Sequence, residues 1–130
     1  MSIELKATAP VLVAQDVGAT AEWYKTFLGF QAELFPEHPP FSFAILCRDS
    51  VEIMIRRCGK DGPPRLDGDW NVYVRTSGVQ ELLNSLQNLL PITEPLRKAA
   101  YGCIEFAIDD PNGYRLVFSE ESEVVAPSAL

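Results

Sequence analysis

Apolar positions along the chain switch between two spacings, and the switches mark its elements. Ala9-Pro-Val-Leu-Val-Ala14 is a short apolar run that predicts a first strand, with Pro10 near its start. Proline has no backbone N–H to give a ladder, so this strand begins at an edge or crosses between sheets. Asp16 follows as a natural helix N-cap, and Val17, Ala21, Tyr24 and Leu28 then recur at spacings of four, three and four, one buried helical face. Gly29 stands where a left-handed C-cap is expected. Phe30 to Phe35 and Phe41 to Cys47 predict two strands separated by a Pro-rich loop, and Val51 to Arg56 alternates as a fourth after the Asp49-Ser50 turn.

Residues 58–69 hold the densest mixture of Gly, Pro and Asp and predict a linker. The pattern then restarts. Trp70 to Thr76 reads as a strand, and Ser77 with Gln80 three residues on has the spacing of a helix capping box. Val79, Leu82, Leu83 and Leu86 form the stripe of that helix. Strands are expected around Ile92–Leu96, Tyr101–Ile108 and Tyr114–Ser119. Between the last two, Asp-Pro-Asn-Gly is the strongest turn signal of the sequence, with Asn112 and Gly113 both tolerant of positive φ. The order β-α-β-β-β therefore occurs twice, an internal structural repeat. One domain of residues 1–130 is expected, with module 1 at about 7–57, the linker, module 2 at about 70–120 and a frayed tail at 121–130. Packed side by side, the halves would give a curved eight-stranded sheet with the helices on one face.

Period-two alternation separates the strand faces. Val51, Ile53 and Ile55 oppose Glu52, Met54 and Arg56; Val72 and Val74 oppose Asn71, Tyr73 and Arg75; Leu116 and Phe118 oppose Arg115, Val117 and Ser119. The apolar sets suit packing beneath helices. The mixed sets either line a cleft of the kind that holds small molecules or form a solvated outer face, and alternation does not choose between them.

Composition narrows the partners. The net charge is −7 with 11 Lys and Arg against 18 Asp and Glu, which argues against a nucleic-acid partner. No apolar run approaches the length of a membrane span, and no signal-peptide pattern opens the chain. Cys47, Cys58 and Cys103 are odd in number, widely spaced and without a Cys-x-x-Cys pair, as expected of reduced thiols in a cytoplasmic protein. His38, the one histidine, lies in the Pro-rich loop and reads as an incidental surface residue. There is no Ser-His-Asp or Cys-His arrangement and no Gly-rich phosphate loop.

Several segments in order resemble the vicinal oxygen chelate superfamily, the glyoxalase, bleomycin-resistance and extradiol dioxygenase group. They are Ala9-Pro-Val-Leu-Val-Ala-Gln-Asp16, Ala21-Glu-Trp-Tyr24, Phe27-Leu-Gly-Phe30, Tyr101-Gly102, Glu105-Phe106-Ala107 and Asp109-Asp-Pro-Asn-Gly-Tyr-Arg-Leu-Val-Phe118. The resemblance spans roughly residues 8–120. It implies an α+β fold of two βαβββ modules forming a curved, mixed eight-stranded cup with helices on the outer face. Enzymes of the superfamily hold a divalent metal with His and Glu ligands on four strands. Those positions fall here at Ala9, Glu52, Asn71 and Val117, and only Glu52 is a usual ligand type. The resemblance therefore implies no metal, no cofactor and no catalytic residue.

The nearest pattern is that of the bleomycin-resistance proteins, which bind and sequester a drug. It implies a small-molecule ligand, a homodimer with strand exchange near Pro10 and ligand grooves at the dimer interface. Aromatic ligand residues of that type map to Phe35, Phe41 and Phe43, of which Phe41 is assigned to the groove and Phe43 to the core. Tyr101-Gly102 stands where Trp-Gly is usual, keeping a stacking surface. With the mixed-face residues, the expected ligand-binding set is Phe35, Phe41, Glu52, Asn71, Tyr73, Tyr101, Glu105 and Arg115. Glu52 is either a ligand partner or one half of an ion pair with Arg115 or Arg56. Two other readings remain: a glyoxalase-like lyase or isomerase with an unconventional metal site using Glu52, and a chaperone-like or regulatory binding module.

Overall fold

A computed structural model describes residues 2–122; the expected tail lies almost wholly outside the described residues. The chain divides into two compact units, Met1–Pro64 and Arg65–Leu130, with the boundary inside the expected linker. The first contains β1 (Val11–Ala14), α1 (Val17–Leu28), β2 (Gln31–Phe35), β3 (Phe43–Arg48) and β4 (Val51–Arg57). The second contains β5 (Trp70–Arg75), α2 (Val79–Leu86), β6 (Glu94–Lys98), β7 (Cys103–Asp109) and β8 (Arg115–Glu121).

Each unit forms its own four-stranded mixed sheet, so the eight strands make two hydrogen-bonded sheets. The orders are β1-β4-β3-β2 and β5-β8-β7-β6, the same topology twice. In each, the first strand runs parallel to the last and the remaining pairs are antiparallel. β1 pairs with β4 of the same chain, and Met54 N–H donates to Pro10 O at 2.9 Å across that edge.

α1 forms where its local signals place it. Asp16 Oδ1 accepts from Ala19 N–H at 2.9 Å, and Gly29 closes the helix at φ 70°. The periodic residues Val17, Ala21, Tyr24 and Leu28 are all buried, and Ala44, Leu46, Ile53 and Ile55 of the sheet are buried with them. Removing that apolar surface from water is the main source of the unit's stability.

α2 departs from its expected cap. Its N-cap is Gly78 at φ 86°, with no side-chain cap of its own, and Ser77 and Gln80 form no capping box. Gln80 donates instead to Asn84 Oδ1 at 3.0 Å. The free helix N–H groups are taken by Glu120 on β8, whose carboxylate accepts from Gly78 N–H at 3.1 Å and Val79 N–H at 3.0 Å. Those two donors hold the Glu120 carboxyl below its usual range, against a smaller opposing effect of burial. Because its folded value is depressed, the stability it contributes is present above its ordinary value of 4.5 and lost as pH falls through the folded one. Glu120→Gln is expected to unfold at lower denaturant than the parent at neutral pH, the gap closing on acidification. Paired urea titrations across that window check this.

The Asp-Pro-Asn-Gly turn joins β7 to β8 as expected, by a different geometry. Only Gly113 takes positive φ, at 89°; Asn112 does not. The loop is fastened by Asp110, buried, whose Oδ1 accepts from the backbone N–H groups of Asn112 at 2.8 Å and Tyr114 at 3.0 Å. It is an Asx-type turn with a left-handed glycine in place of a two-residue hairpin.

Candidate functional site

In the first unit, the sheet face away from α1 follows from the register. Phe35 pairs with Phe43, Phe43 with Arg56, Ile45 with Met54, and Cys47 with Glu52. The Phe35 and Phe43 rings lie 6.3 Å apart, and Phe35 remains 41% exposed. Val11 of β1, opposite Met54, is exposed as well. This is an open, mixed face on which the two aromatic rings, Ile45, Met54 and Val11 lie with the charged Glu52 and Arg56. Phe41 does not share it. A Cβ placed on Gly18 would stand 3.1 Å from Phe41 Cδ2, so Phe41 lies against the start of α1. Phe43 lies on this face and Phe41 does not, because β3 begins after Phe41 and its alternation starts from Phe43; both residues are half-buried.

Glu52 makes neither expected ion pair among the described residues. Its hydrogen-bond contact is the Cys47 thiol, 3.8 Å away. Desolvation by its neighbours and then the Glu52 charge raise the thiol of the exposed Cys47 above its ordinary value, which keeps it protonated at neutral pH.

The second unit concentrates its polar groups on one sheet face. Glu105 on β7 is 1% exposed, and its carboxylate is held by three side chains. Arg97 Nη2 donates to Oε1 at 2.7 Å, the Tyr101 hydroxyl to the same oxygen at 2.5 Å, and the Tyr73 hydroxyl to Oε2 at 3.0 Å. Tyr73 also shares a 2.7 Å hydrogen bond with the Ser119 hydroxyl, which is buried. A buried carboxylate is tolerated when charge-assisted donors replace its hydration, and these do.

Two irregularities in the ladders build this cluster. The β5–β8 register shifts between Trp70 and Val72, so Trp70 pairs with Arg115 while Tyr73 pairs with Val117. Asn71 is the extra residue, and its Oδ1 accepts from Arg115 N–H at 2.8 Å. The β6–β7 register likewise shifts between Glu94 and Arg97. Each shift puts residues three apart on one face, as bulges beside functional sites do. The Trp70 ring accordingly lies 5.7 Å from that of Tyr73, its indole N–H donates to Glu94 at 3.2 Å, and Arg97 Cζ sits 5.8 Å from its centroid. Arg75 Cζ stands 5.7 Å from the Tyr73 centroid. A hollow of about 330 Å³, lined by Arg75, Thr76, Cys103, Ser119, Glu120 and Glu121, shares Ser119 with the cluster.

Of the expected site residues, Tyr73, Tyr101 and Glu105 are thus brought together. Arg115 is adjacent but committed to Asp109, Glu94 and Gly68 O, and Asn71 to the backbone. Phe35 and Glu52 belong to the other unit's face. Trp70, Glu94 and Arg97 join the cluster from outside the expected faces, and Ser119 joins it from the mixed face.

The hydrogen bond to Glu105, with some burial, raises the Tyr101 hydroxyl far above its ordinary value; burial chiefly raises Tyr73, with Glu105 adding and Ser119 opposing. A folded value above the unfolded one means that the contribution of Tyr101 is whole below about pH 10 and declines as pH rises toward the folded value. Tyr101→Phe is expected to flatten the alkaline limb of the stability profile, measured as urea midpoints through that range. An unchanged alkaline slope would show that the 2.5 Å contact does not form in solution.

No protein-family model and no curated protein matches this sequence. Solved structures do match. TioX from Micromonospora sp. ML1 superposes with a TM-score of 0.73 at 21% identity, over 89% of this chain and 99% of that one. The bleomycin-binding protein from bleomycin-producing Streptomyces verticillus, in complex with copper(II)-bleomycin, gives 0.70 at 19% identity, over 90% and 97%. A glyoxalase/bleomycin resistance protein/dioxygenase from Nocardioides gives 0.69 at 16%, over 97% and 90%. The chain has the glyoxalase/bleomycin-resistance fold. Identities of this size establish the fold and nothing finer.

The four positions that the family resemblance marks for metal ligands do not carry a usual ligand set here. Ala9 and Val117 have no donor atom, Val117 is 1% exposed, and the Asn71 oxygen is occupied by a backbone N–H. One carboxylate, Glu52, remains. Among the described residues no group of three or more His, Cys, Asp or Glu could hold a metal, and no helix is long and apolar enough to cross a membrane.

Proposed function

We propose that this chain is a small-molecule-binding protein of the bleomycin-resistance type, which sequesters its ligand without chemistry. The observation that supports the reading is that Glu52 alone of Ala9, Glu52, Asn71 and Val117 is a usual metal ligand, in a fold that also includes a bleomycin-binding protein. Two further features support it. The sheet face of the first unit leaves Phe35 exposed beside Phe43, and that of the second leaves Trp70 and Tyr73 partly exposed. Planar groups stack on such rings, and their partial exposure leaves the apolar area that a ligand would bury.

The functional unit is a cytoplasmic homodimer whose grooves include residues of both copies, with β1 exchanged at Pro10. β1 is four residues long and occupies a sheet edge, so a partner's β1 can take its place in the same parallel register. Sedimentation equilibrium is expected to give twice the chain mass, and a monomer at micromolar concentration overturns the dimer.

The ligand is tested by calorimetric titration with metal-free bleomycin-type glycopeptides, together with drug tolerance of cells expressing the chain. Saturable heat and raised tolerance are expected. Absence of both removes the drug-binding reading.

A further inference from the structure

We infer that the Trp70–Tyr73–Glu105 face is a binding site for a planar cationic group, an amidinium or guanidinium, and that Arg97 is the chain's own occupant of it. The inference deepens the small-molecule-binding reading above and rests on it.

Arg97 touches two groups of this face. One guanidinium nitrogen meets the buried Glu105 carboxylate at 2.7 Å while the plane's carbon lies 5.8 Å from the Trp70 centroid. A carboxylate at one edge and an indole beside the ring is the arrangement that recognises a flat cation. The neighbouring platform repeats the preference, with the Arg75 guanidinium 5.7 Å from the Tyr73 ring.

The two halves of the ion pair differ in how firmly they are held. Glu105 lies on β7, an inner strand, at 1% exposure, and keeps the hydroxyls of Tyr73 and Tyr101 whatever Arg97 does. Arg97 lies on the edge strand β6, just past a register shift, with its side chain 44% exposed. Arg97 can therefore turn to solvent at small cost, because a long half-exposed cation regains its hydration. Glu105 cannot leave. An incoming amidinium would replace the same hydrogen bond and the same ring contact, and its affinity is reduced by the work of displacing Arg97.

The test uses benzamidine, with benzamide as its neutral counterpart, titrated against the whole chain and followed by ligand-observed NMR. Arg97→Ala is expected to bind benzamidine on the order of tenfold more tightly than the parent, the size of one charge-assisted hydrogen bond with a ring contact. Arg97→Gln, which keeps an amide donor for Glu105 without the charge, is expected to read the same way and serves if Arg97→Ala is unfolded. Arg97→Lys retains a competing cation and is expected to stay near the parent. Adding Glu105→Gln to Arg97→Gln is expected to abolish the gain, and benzamide is expected to gain nothing. Equal affinity of the parent and both neutral variants for benzamidine, or an equal gain for benzamide, overturns the inference.

Failure here and failure of the broader reading are separable. A silent glycopeptide titration with tightened benzamidine binding removes the drug class and keeps the cation site. A glycopeptide complex with no effect of Arg97→Gln on benzamidine removes the cation site and keeps the binding function.

Discussion

Glu105→Ala is expected to lower the stability of the chain by about 3 kcal/mol, one of the two largest losses expected of a single polar side chain here. The carboxylate is 1% exposed and receives hydrogen bonds from Arg97, Tyr101 and Tyr73. Truncation leaves those donors around a cavity the size of the lost side chain. Arg97 and Tyr101 are exposed enough to turn to water, which holds the cost at the lower end of the range for a broken buried pair, roughly 3–5 kcal/mol. Tyr73 keeps Ser119 as a partner. Glu105→Gln preserves volume and one acceptor but sets an amide NH2 against donors, and should cost about half as much. The measurement is the urea midpoint at neutral pH with an unchanged m-value. A Glu105→Ala chain within about 0.5 kcal/mol of the parent would mean that the network is solvated and contributes no more than a surface contact.

This network also shows where sequence patterning works and where it stops. α1 was legible from end to end because its determinants are local: Asp16 and Gly29 act within four residues of the backbone they satisfy. The eight strands and their doubled order followed from alternation and turn residues, with boundaries displaced by a few residues, as in β6 and β7. α2 was placed correctly and capped incorrectly, since its N–H groups are met by Glu120 from a strand about forty positions away, and no local motif reports that.

The site was harder for one physical reason. Period two holds only while a strand stays in register, and the two shifts at Trp70/Val72 and Glu94/Arg97 break it where the cluster forms. Alternation consequently puts Asn71 on the mixed face with Tyr73 and leaves Trp70 off it, while Arg97 falls beyond the expected strand Ile92–Leu96. Pro95 beside Glu94 was the one signal of irregularity in β6, because a proline interrupts a ladder. The family resemblance points to Tyr101 and Glu105, and alternation points to Tyr73. Ser119 falls on the mixed face, but a lone serine carries no pattern that marks it as a partner of Tyr73.

Arg115→Met is expected to cost about 2 kcal/mol and to expose the segment before β5 to proteases. Its side chain is only 18% exposed and every nitrogen is engaged. Nε and Nη2 donate to the two oxygens of Asp109 at 2.9 and 3.4 Å, while Nη1 donates to Glu94 at 3.3 Å and to Gly68 O at 2.5 Å. A fork that meets one carboxylate with two donors uses the full geometry of a guanidinium, which is why Arg115→Lys should recover only part of the loss. Asp109 and Glu94 together raise the guanidinium still further above its already high ordinary value, so it stays charged wherever the chain is folded. Methionine retains the apolar stem against the sheet, and the measured loss then reports on the charge and its hydrogen bonds. Without it, Asp109 and Glu94 face each other with no cation between them, and Gly68 loses its anchor to β8. Two readouts separate these effects. Added salt should narrow the stability gap by screening the repulsion between the two carboxylates. Faster tryptic cleavage at Arg65 should persist at any salt, because it follows from the lost contact to Gly68. An Arg115→Met chain as resistant to trypsin as the parent would show that the linker is held by other contacts and that Arg115 is free to serve a ligand, as its place on the mixed face first suggested.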